Sequence, residues 1–395
     1  MITNFKNISF FQGLNSLRFF AAFLVVMHHS ETIRSKSGLA NMEWLGLFKN
    51  GANAVTFFFV LSGFLITYLL LKENFQTETI SIKKFYIKRI LRIWPLYFLL
   101  VLIGTIMLPF LFDIFNVNYD MPYTFDQVWF YFLFFLPGLV LFFFGHHFLE
   151  PLWSIGIEEV FYLVWAPIFK FGKQKIFLVL LAIIILKAIL ILACVFFIKN
   201  ELFKYLVDIF QFEAMAIGGL GAYFIYNRKN PVSDLFIYKK PMQILIYSIL
   251  AIFLLFHSNI DNAVWNFLFN LPVLSPIIKD FLFLYLIIGI SLVDKNIIKL
   301  KSKSLSYLGE ISYGIYMYHM LVIFTVMHFF KEQLLNFSII SGSILFYFIL
   351  TFSVILISSI SKFFFENYFL NLKLKMEKSS PEKPFPKIAN VLKSR

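Results

Sequence analysis

Charge is what this sequence has least of. Only 14% of its 395 residues are Asp, Glu, Lys or Arg, against 60% hydrophobic and 20% aromatic residues, and the mean hydropathy is +0.79. Soluble domains carry about 25% charged residues, and a globule of this size needs more charge than this chain has to cover its surface. Disordered and fibrous chains fail on the same numbers. The single cysteine, Cys194, excludes an internal disulfide and leaves the redox compartment open. No internal repeat is visible, so the signature of many transporters is missing. The first apolar stretch follows Arg18, is interrupted by His28 and His29 and lacks a small-x-small site, so no cleavable signal peptide is expected.

What the chain does have is apolar runs of the length that crosses a bilayer core of about 30 Å. They lie roughly at 14–30, 52–71, 93–112, 128–144, 153–169, 176–198, 205–226, 241–257, 273–293, 305–330 and 338–361. The expected fold is therefore an all-α, polytopic membrane protein, with a membrane domain over 1–370 and a short cytoplasmic tail over 371–395. Short loops rich in Lys and Arg mark the cytoplasmic side. Loop 72–92 holds Lys72, Lys83, Lys84, Lys88, Arg89 and Arg92, whereas loop 113–127 holds Asp113, Asp120 and Asp126 and no base. Eleven simple crossings would put Lys170, Lys173, Lys175, Arg228, Lys229, Lys239 and Lys240 outside. Treating 128–144 as re-entrant or interfacial repairs every later loop, and its Pro137-Gly138 offers a break point. Ten crossings follow, with both termini cytoplasmic in a cell (inner) membrane. Most of the +13 net charge then serves orientation, with membrane lipid and not nucleic acid as its partner.

Ionisable groups inside a bilayer are costly, so those that remain are paired or functional. In the first crossing Arg18 and His29 are eleven residues apart, about 16 Å of helix rise and about 20° from alignment. They share a face, while His28 points away. The fifth crossing opens with Ser154, Glu158 and Tyr162 on an i, i+4, i+8 stripe, with Glu159 beside them. Its start lies on the outer side in the ten-crossing arrangement, as does His29. Arg89 and Arg92 sit one turn apart, a spacing that either grips a phosphate or merely flanks a crossing. Ser312, Tyr316 and His319 share a stripe in the tenth crossing. Ser62-Gly63 reads as a helix-packing site, and Lys187 with Glu213 as a structural pair. No Cys, Asp or His spacing supports a metal site.

Taken in order, these segments resemble the membrane acyltransferase 3 family. The series is Arg18-x-x-Ala21-x-x-x-Val25-x-x-x-His29, then FFFVLSGFLI at 57–66, then Arg89-x-x-Arg92-Ile93-x-Pro95. It continues with Trp153-Ser154-x-x-x-Glu158-Glu159-x-Phe161-Tyr162 and closes with Ser312-Tyr313-x-Ile315-Tyr316-x-x-His319. The chain departs from the pattern twice: Ala54-Val55-Thr56 replaces a Gly-Val-Asp-like lead, and Gln211 stands where an Arg is usual. It resembles the form without a fused hydrolase-like domain.

The resemblance implies transfer of an acyl group, acetyl by expectation, from cytoplasmic acyl-coenzyme A to a hydroxyl of an envelope carbohydrate or lipid-linked glycan. Acyl-coenzyme A is then a co-substrate, with no permanently bound cofactor. His29 is expected as general base or transient acyl carrier, with Glu158 orienting it. Arg18, Arg89 and Arg92 are expected to bind the donor. Ser154, Glu159, Tyr162, Ser312, Tyr313 and His319 are candidate supports, with Ser154, Tyr313 or His319 as oxyanion donors. The rival expectation is a transporter or flippase that uses the same charges as a substrate path. Oligomeric state is not legible.

Overall fold

The computed structural model describes residues 5–8, 10–117, 119–257, 259–260 and 263–378. All regular structure among them is helical. In chain order the helices are α1 (Leu14–Lys36), α2 (Gly51–Thr77), α3 (Ile82–Leu102), α4 (Leu108–Ile114), α5 (Phe125–Leu133) and α6 (Pro137–Phe144). There follow α7 (Leu152–Gly172), α8 (Ile176–Phe196), α9 (Glu201–Ile209), α10 (Phe212–Asn227), α11 (Lys240–Phe256) and α12 (Ala263–Phe269). The last are α13 (Leu274–Leu292), α14 (Lys303–Glu310), α15 (Ser312–Leu334), α16 (Ile339–Ser361) and α17 (Asn367–Lys378).

Eight stretches among the described residues are long and apolar enough to cross a membrane. They are α2, α7, α8, α13, α15 and three pairs: α3 with α4, α9 with α10, and α16 with α17. Two sequence segments of the expected ten fall short of that measure. Helix α1 has 23 residues but carries Arg18, Glu31, Arg34 and Lys36, and α11 has only 17. Length and apolarity alone therefore yield eight crossings, not ten. Lipid-facing surface is plain on α16, where Ile344, Phe348, Phe352 and Leu356 form an exposed stripe at four-residue spacing.

The segment at 128–144 is broken next to Pro137. Helices α5 and α6 have nine and eight residues, about 12–14 Å each at 1.5 Å per residue, less than half of a bilayer core. At the corner Phe135 takes a positive φ of 57°. Its ring stacks on Tyr97, 4.6 Å between centroids, and the Tyr97 hydroxyl donates to Phe132 O at 3.1 Å. Helix α7 passes this corner at Gly156, where a Cβ would lie 2.5 Å from Phe135 O.

Helix α2 is central, packed by α1, α7, α10 and α13. Its approach to α10 is reciprocal: a Cβ at Gly63 would collide with Met215 O, and one at Gly218 with Val60 O. The packing role read for Ser62-Gly63 thus holds for the glycine. Lys187 on α8 and Glu213 on α10 lie 3.4 Å apart. The Lys187 ammonium also donates to Phe210 O at 2.9 Å and to Val207 O, carbonyls freed where α9 breaks from α10. At the chain's end α17 continues past residue 370 to Lys378, so the tail expected from 371 begins as helix. Residues 379–395 lie outside the described ones.

Candidate active site

Six helices meet around a cavity of about 300 Å³. Arg18 enters from the first turns of α1, Arg89 and Arg92 from α3 just ahead of Pro95, and Ser62 from α2. Helix α7 supplies Ser154, Glu158 and Tyr162, and α15 supplies Ser312, Tyr313 and Tyr316. Three guanidinium groups therefore face two carboxylates, Glu158 and the exposed Glu310 of α14. None of the three arginines forms an ion pair among the described residues. Arg18 donates to Asn15 Oδ1 at 3.3 Å, and the Arg89 guanidinium lies 5.0 Å from the centre of the Tyr162 ring.

The α7 stripe works as its spacing predicts. Tyr162 donates its hydroxyl proton to Glu158 Oε2 at 2.8 Å, four residues back on the same face. Ser62 completes the chain through a hydrogen bond with the Tyr162 hydroxyl. The sequence offered a signal for Ser62, the one hydroxyl inside FFFVLSGFLI, but its neighbour Gly63 drew the reading toward packing. Glu159 faces elsewhere. It accepts the Trp94 indole N–H at 2.8 Å and ties α7 to α3 outside the cavity.

His29 and Glu158 do not form the expected hydrogen-bonded pair. The ring beside His29 is His319, with 5.2 Å between centroids, while Glu158 stays with Tyr162 and the arginines. The reason is depth: Glu158 lies six residues inside α7, whereas His29 is near the far end of α1. His28 points away and donates from Nδ1 to Phe48 O at 3.1 Å. His319 is fully buried, and its Nδ1–H donates to Tyr316 O at 2.5 Å. A carbonyl only accepts, so in the neutral ring Nε2 is the bare lone pair, and it has no partner among the described residues.

The proposed oxyanion donors spend their protons on other partners. Tyr313 donates to Ile93 O at 3.0 Å, and the only ring N–H of neutral His319 goes to Tyr316 O. Ser154 shares its hydroxyl between Pro151 O at 3.2 Å and the Tyr316 hydroxyl at 2.8 Å. Ser312 donates to Gly309 O at 2.8 Å. Tyr316, noted on the α15 stripe but left out of the candidate supports, sits where the cavity ends and its ring lies 5.8 Å from His319.

The two departures from the family pattern touch each other. Thr56 donates its hydroxyl to Gln211 Oε1 at 2.7 Å. A neutral hydrogen bond thus joins α2 to the start of α10 at the two positions where the resemblance leads one to expect an Asp and an Arg.

Part of the sequence is similar to known proteins. A Staphylococcus aureus (strain COL) protein with O-acetyltransferase in its name is 34% identical over 172 residues, 42% of this chain and 26% of its own. The peptidoglycan O-acetyltransferase OatA of Listeria monocytogenes is 30% identical over 165 residues, 39% of this chain and 23% of its own. The O-acetyltransferase OatA of Staphylococcus aureus (strain NCTC 8325) is 31% identical over 166 residues, 40% and 24%. The matches span about a quarter of the length of these curated relatives. No solved structure matches. A family model described as an acyltransferase domain matches residues 11–362, and the chain belongs to that acyltransferase 3 family.

Proposed function

We propose that this chain is an integral-membrane O-acyltransferase that moves an acetyl group from cytoplasmic acetyl-coenzyme A to a hydroxyl of an envelope carbohydrate. The observation that carries the reading is the convergence of Arg18, Arg89 and Arg92 on one cavity whose far end, at Tyr316, adjoins the His29 and His319 rings. Three arginines without ion-pair partners among the described residues favour a polyanion, and guanidinium groups grip phosphate bidentately. The peptidoglycan acceptor in the name of the Listeria relative makes a cell-wall glycan the first acceptor to try.

In this reading α1 and α11 also cross, giving ten crossings with both termini cytoplasmic, and α5 with α6 forms the re-entrant segment. The arginines then lie toward the cytoplasmic face, and the histidines toward the outer one. Coenzyme A docks its phosphates on the arginines and extends its arm along the cavity, over the rise of about 16 Å that separates Arg18 from His29 on α1.

His29 takes the proton of the acceptor hydroxyl while that oxygen attacks the thioester carbonyl. The tetrahedral intermediate collapses with cleavage of the C–S bond, and the departing sulfur of coenzyme A receives the proton. His319, through its bare Nε2, accepts from a second hydroxyl of the acceptor and so positions the sugar. Glu158 and Tyr162 line the path of the donor arm and offset part of the arginine charge.

The test uses detergent-purified protein, acetyl-coenzyme A and a peptidoglycan disaccharide, with free coenzyme A and acetylated sugar measured by mass spectrometry. Release of coenzyme A only when the sugar is present is the expected result, lost on His29→Ala. Full turnover by folded His29→Ala protein would sink the central assignment. Sugar movement across vesicles with no coenzyme A release would favour a transporter.

A further inference from the structure

A second cavity, of about 400 Å³, lies between α8, α9, α10 and α13, with Thr56 of α2 in its wall. It is separate from the arginine cavity. On α2 the first cavity is lined from Val55 to Leu69, toward loop 72–92, while the second touches only Thr56, near the N-terminal end, and is otherwise walled by the end of α8 (Cys194), the start of α10 (Glu213) and the start of α13 (Asp280). The second cavity therefore lies toward the opposite end of the bundle, which is the outer side in the proposed orientation.

Its wall is too polar for a packing defect. Lys187, Lys204 and Lys279 face Asp208, Glu213 and Asp280, three charges of each sign, of which Lys187, Glu213 and Asp280 are buried, Lys204 and Lys279 half-buried and Asp208 exposed. Most of this set is spoken for. Lys187 is held by Glu213 and two carbonyls, and Lys204 bonds Glu201 at 2.9 Å. Asp280 is different: it is 1% exposed, lines the cavity, and neither carboxylate oxygen has a hydrogen-bond partner among the described residues. A buried acceptor left bare costs about 1–3 kcal/mol, and more when charged. A group that supplies hydroxyl protons to both oxygens would remove that cost.

The balance of charge selects the ligand class. An anion would meet Asp280 and Glu213, and a cation would meet Lys279 and Lys187, so a neutral ligand with several hydroxyls fits best. Pockets for small ligands span about 300–1,000 Å³, room here for one or two sugar rings. We infer that this second cavity binds a neutral, polyhydroxylated headgroup, a sugar, with Asp280 accepting from two of its hydroxyls. The inference rests on the proposed orientation and assigns a place to the carbohydrate acceptor on the outer side.

The protein carries its own probe. Cys194, the single cysteine, lines the cavity two residues before the end of α8. A membrane-impermeant maleimide is added to the outside of cells expressing the full chain, alone and across a concentration series of diacetylchitobiose. Cys194 is expected to be labelled from outside, with labelling falling about tenfold once the disaccharide reaches ten times its Kd. Asp280→Asn is expected to label at the wild-type rate, which shows an intact cavity, and to lose the protection. Labelling that the disaccharide leaves unchanged, equal protection of Asp280→Asn, no labelling from outside, or protection by choline or inorganic phosphate in place of the sugar each overturn the inference. Release of coenzyme A is measured in parallel on membranes. Protection without release keeps the sugar site and sinks the transfer reading, and release without protection sinks the sugar site alone.

Discussion

The imidazole of His29 faces that of His319, 5.2 Å between ring centres, across the boundary between α1 and α15. With its Nδ1–H fixed on Tyr316 O, His319 presents a lone pair at Nε2 and no proton. The carboxylate expected at that position, Glu158, is instead tied to Tyr162 and Ser62 among the arginines. The proposed chemistry therefore divides into a charged end that holds the donor and a neutral end that handles the hydroxyl. Such a division keeps most of the charge away from the acyl group.

His29→Ala is expected to lower kcat by about 100-fold or more, the usual worth of a positioned general base. His319→Asn is expected to act mainly on the KM of the acceptor, since it alters how the sugar is held. Steady-state kinetics with both substrates varied checks the pair. A His319 variant with full kcat loss and unchanged acceptor KM would reverse the two roles.

Arg89→Gln and Arg92→Gln are each expected to raise the KM of acetyl-coenzyme A by about tenfold or more, since hydrogen bonds to charged groups are worth about 1.5–3 kcal/mol. The acceptor KM should not move. Arg18→Gln should behave the same way, because Arg18 lines the same cavity from α1. Unchanged donor affinity in all three would leave Arg89 and Arg92 as orientation signals alone.

Glu31 and Arg34 at the far end of α1 form a second network, and it is structural. Both are buried, 2.6 Å apart, and Glu31 also accepts from Tyr347 at 2.7 Å and from Met42 N, while Arg34 donates to Ser343 at 2.9 Å and to Ala40 O. Removing one member strands the other, at a cost of about 3–5 kcal/mol. Glu31→Gln should thus lower the thermal midpoint in detergent markedly, while the activity of the fraction that stays folded remains near wild type.

These elements differ in how far the sequence foretold them. The α7 stripe was legible because i, i+4 spacing fixes a helix face whatever surrounds it, and Ser154, Glu158 and Tyr162 do line one cavity. The break at 128–144 was legible because Pro137 and the charge of later loops pointed the same way. Neighbours across helices were not legible. That His29 meets His319, or that Trp94 meets Glu159, depends on which helices touch and at what depth. Periodicity carries no such information. Helix α1 also outruns its apolar segment by six residues, because the Glu31–Arg34 pair lets charge stay buried.

His147 gives stability a pH dependence outside the crossings. It sits in the turn before α7, 1% exposed, with Nδ1 3.2 Å from the Tyr123 hydroxyl, and burial pushes its pKa down to about 4. The unfolded chain has the ordinary value near 6.5, so below that pH it binds a proton that the folded chain does not. Stability is therefore expected to fall as pH drops from about 6.5 toward 4, by up to about 1.4 kcal/mol per unit from this group. His147→Phe should flatten that slope in thermal unfolding at pH 7 and pH 5. An unchanged slope would assign the acid sensitivity to other groups.

The adjacent glutamates of α7 should part company under the same substitution. Glu158 lines the arginine cavity and accepts from Tyr162, whereas Glu159 holds the Trp94 indole and lies off the cavity. Glu158→Gln removes a charge from the path of the donor without altering its shape. Its effect should fall on acetyl-coenzyme A kinetics, with little change in thermal midpoint. Glu159→Gln keeps an oxygen for the Trp94 N–H, so it should be mild in both assays. Glu159→Leu strands that N–H in the interior, at a cost of about 1–3 kcal/mol, and loosens α3 from α7. Because α3 carries Arg89 and Arg92, donor affinity should then weaken along with the thermal midpoint, and Trp94→Phe in the same chain should recover part of the stability by removing the orphaned donor. If Glu159→Gln abolished turnover in protein with a wild-type thermal midpoint, Glu159 would have to act in the reaction itself, and the separation of the two carboxylates by helix face would be wrong.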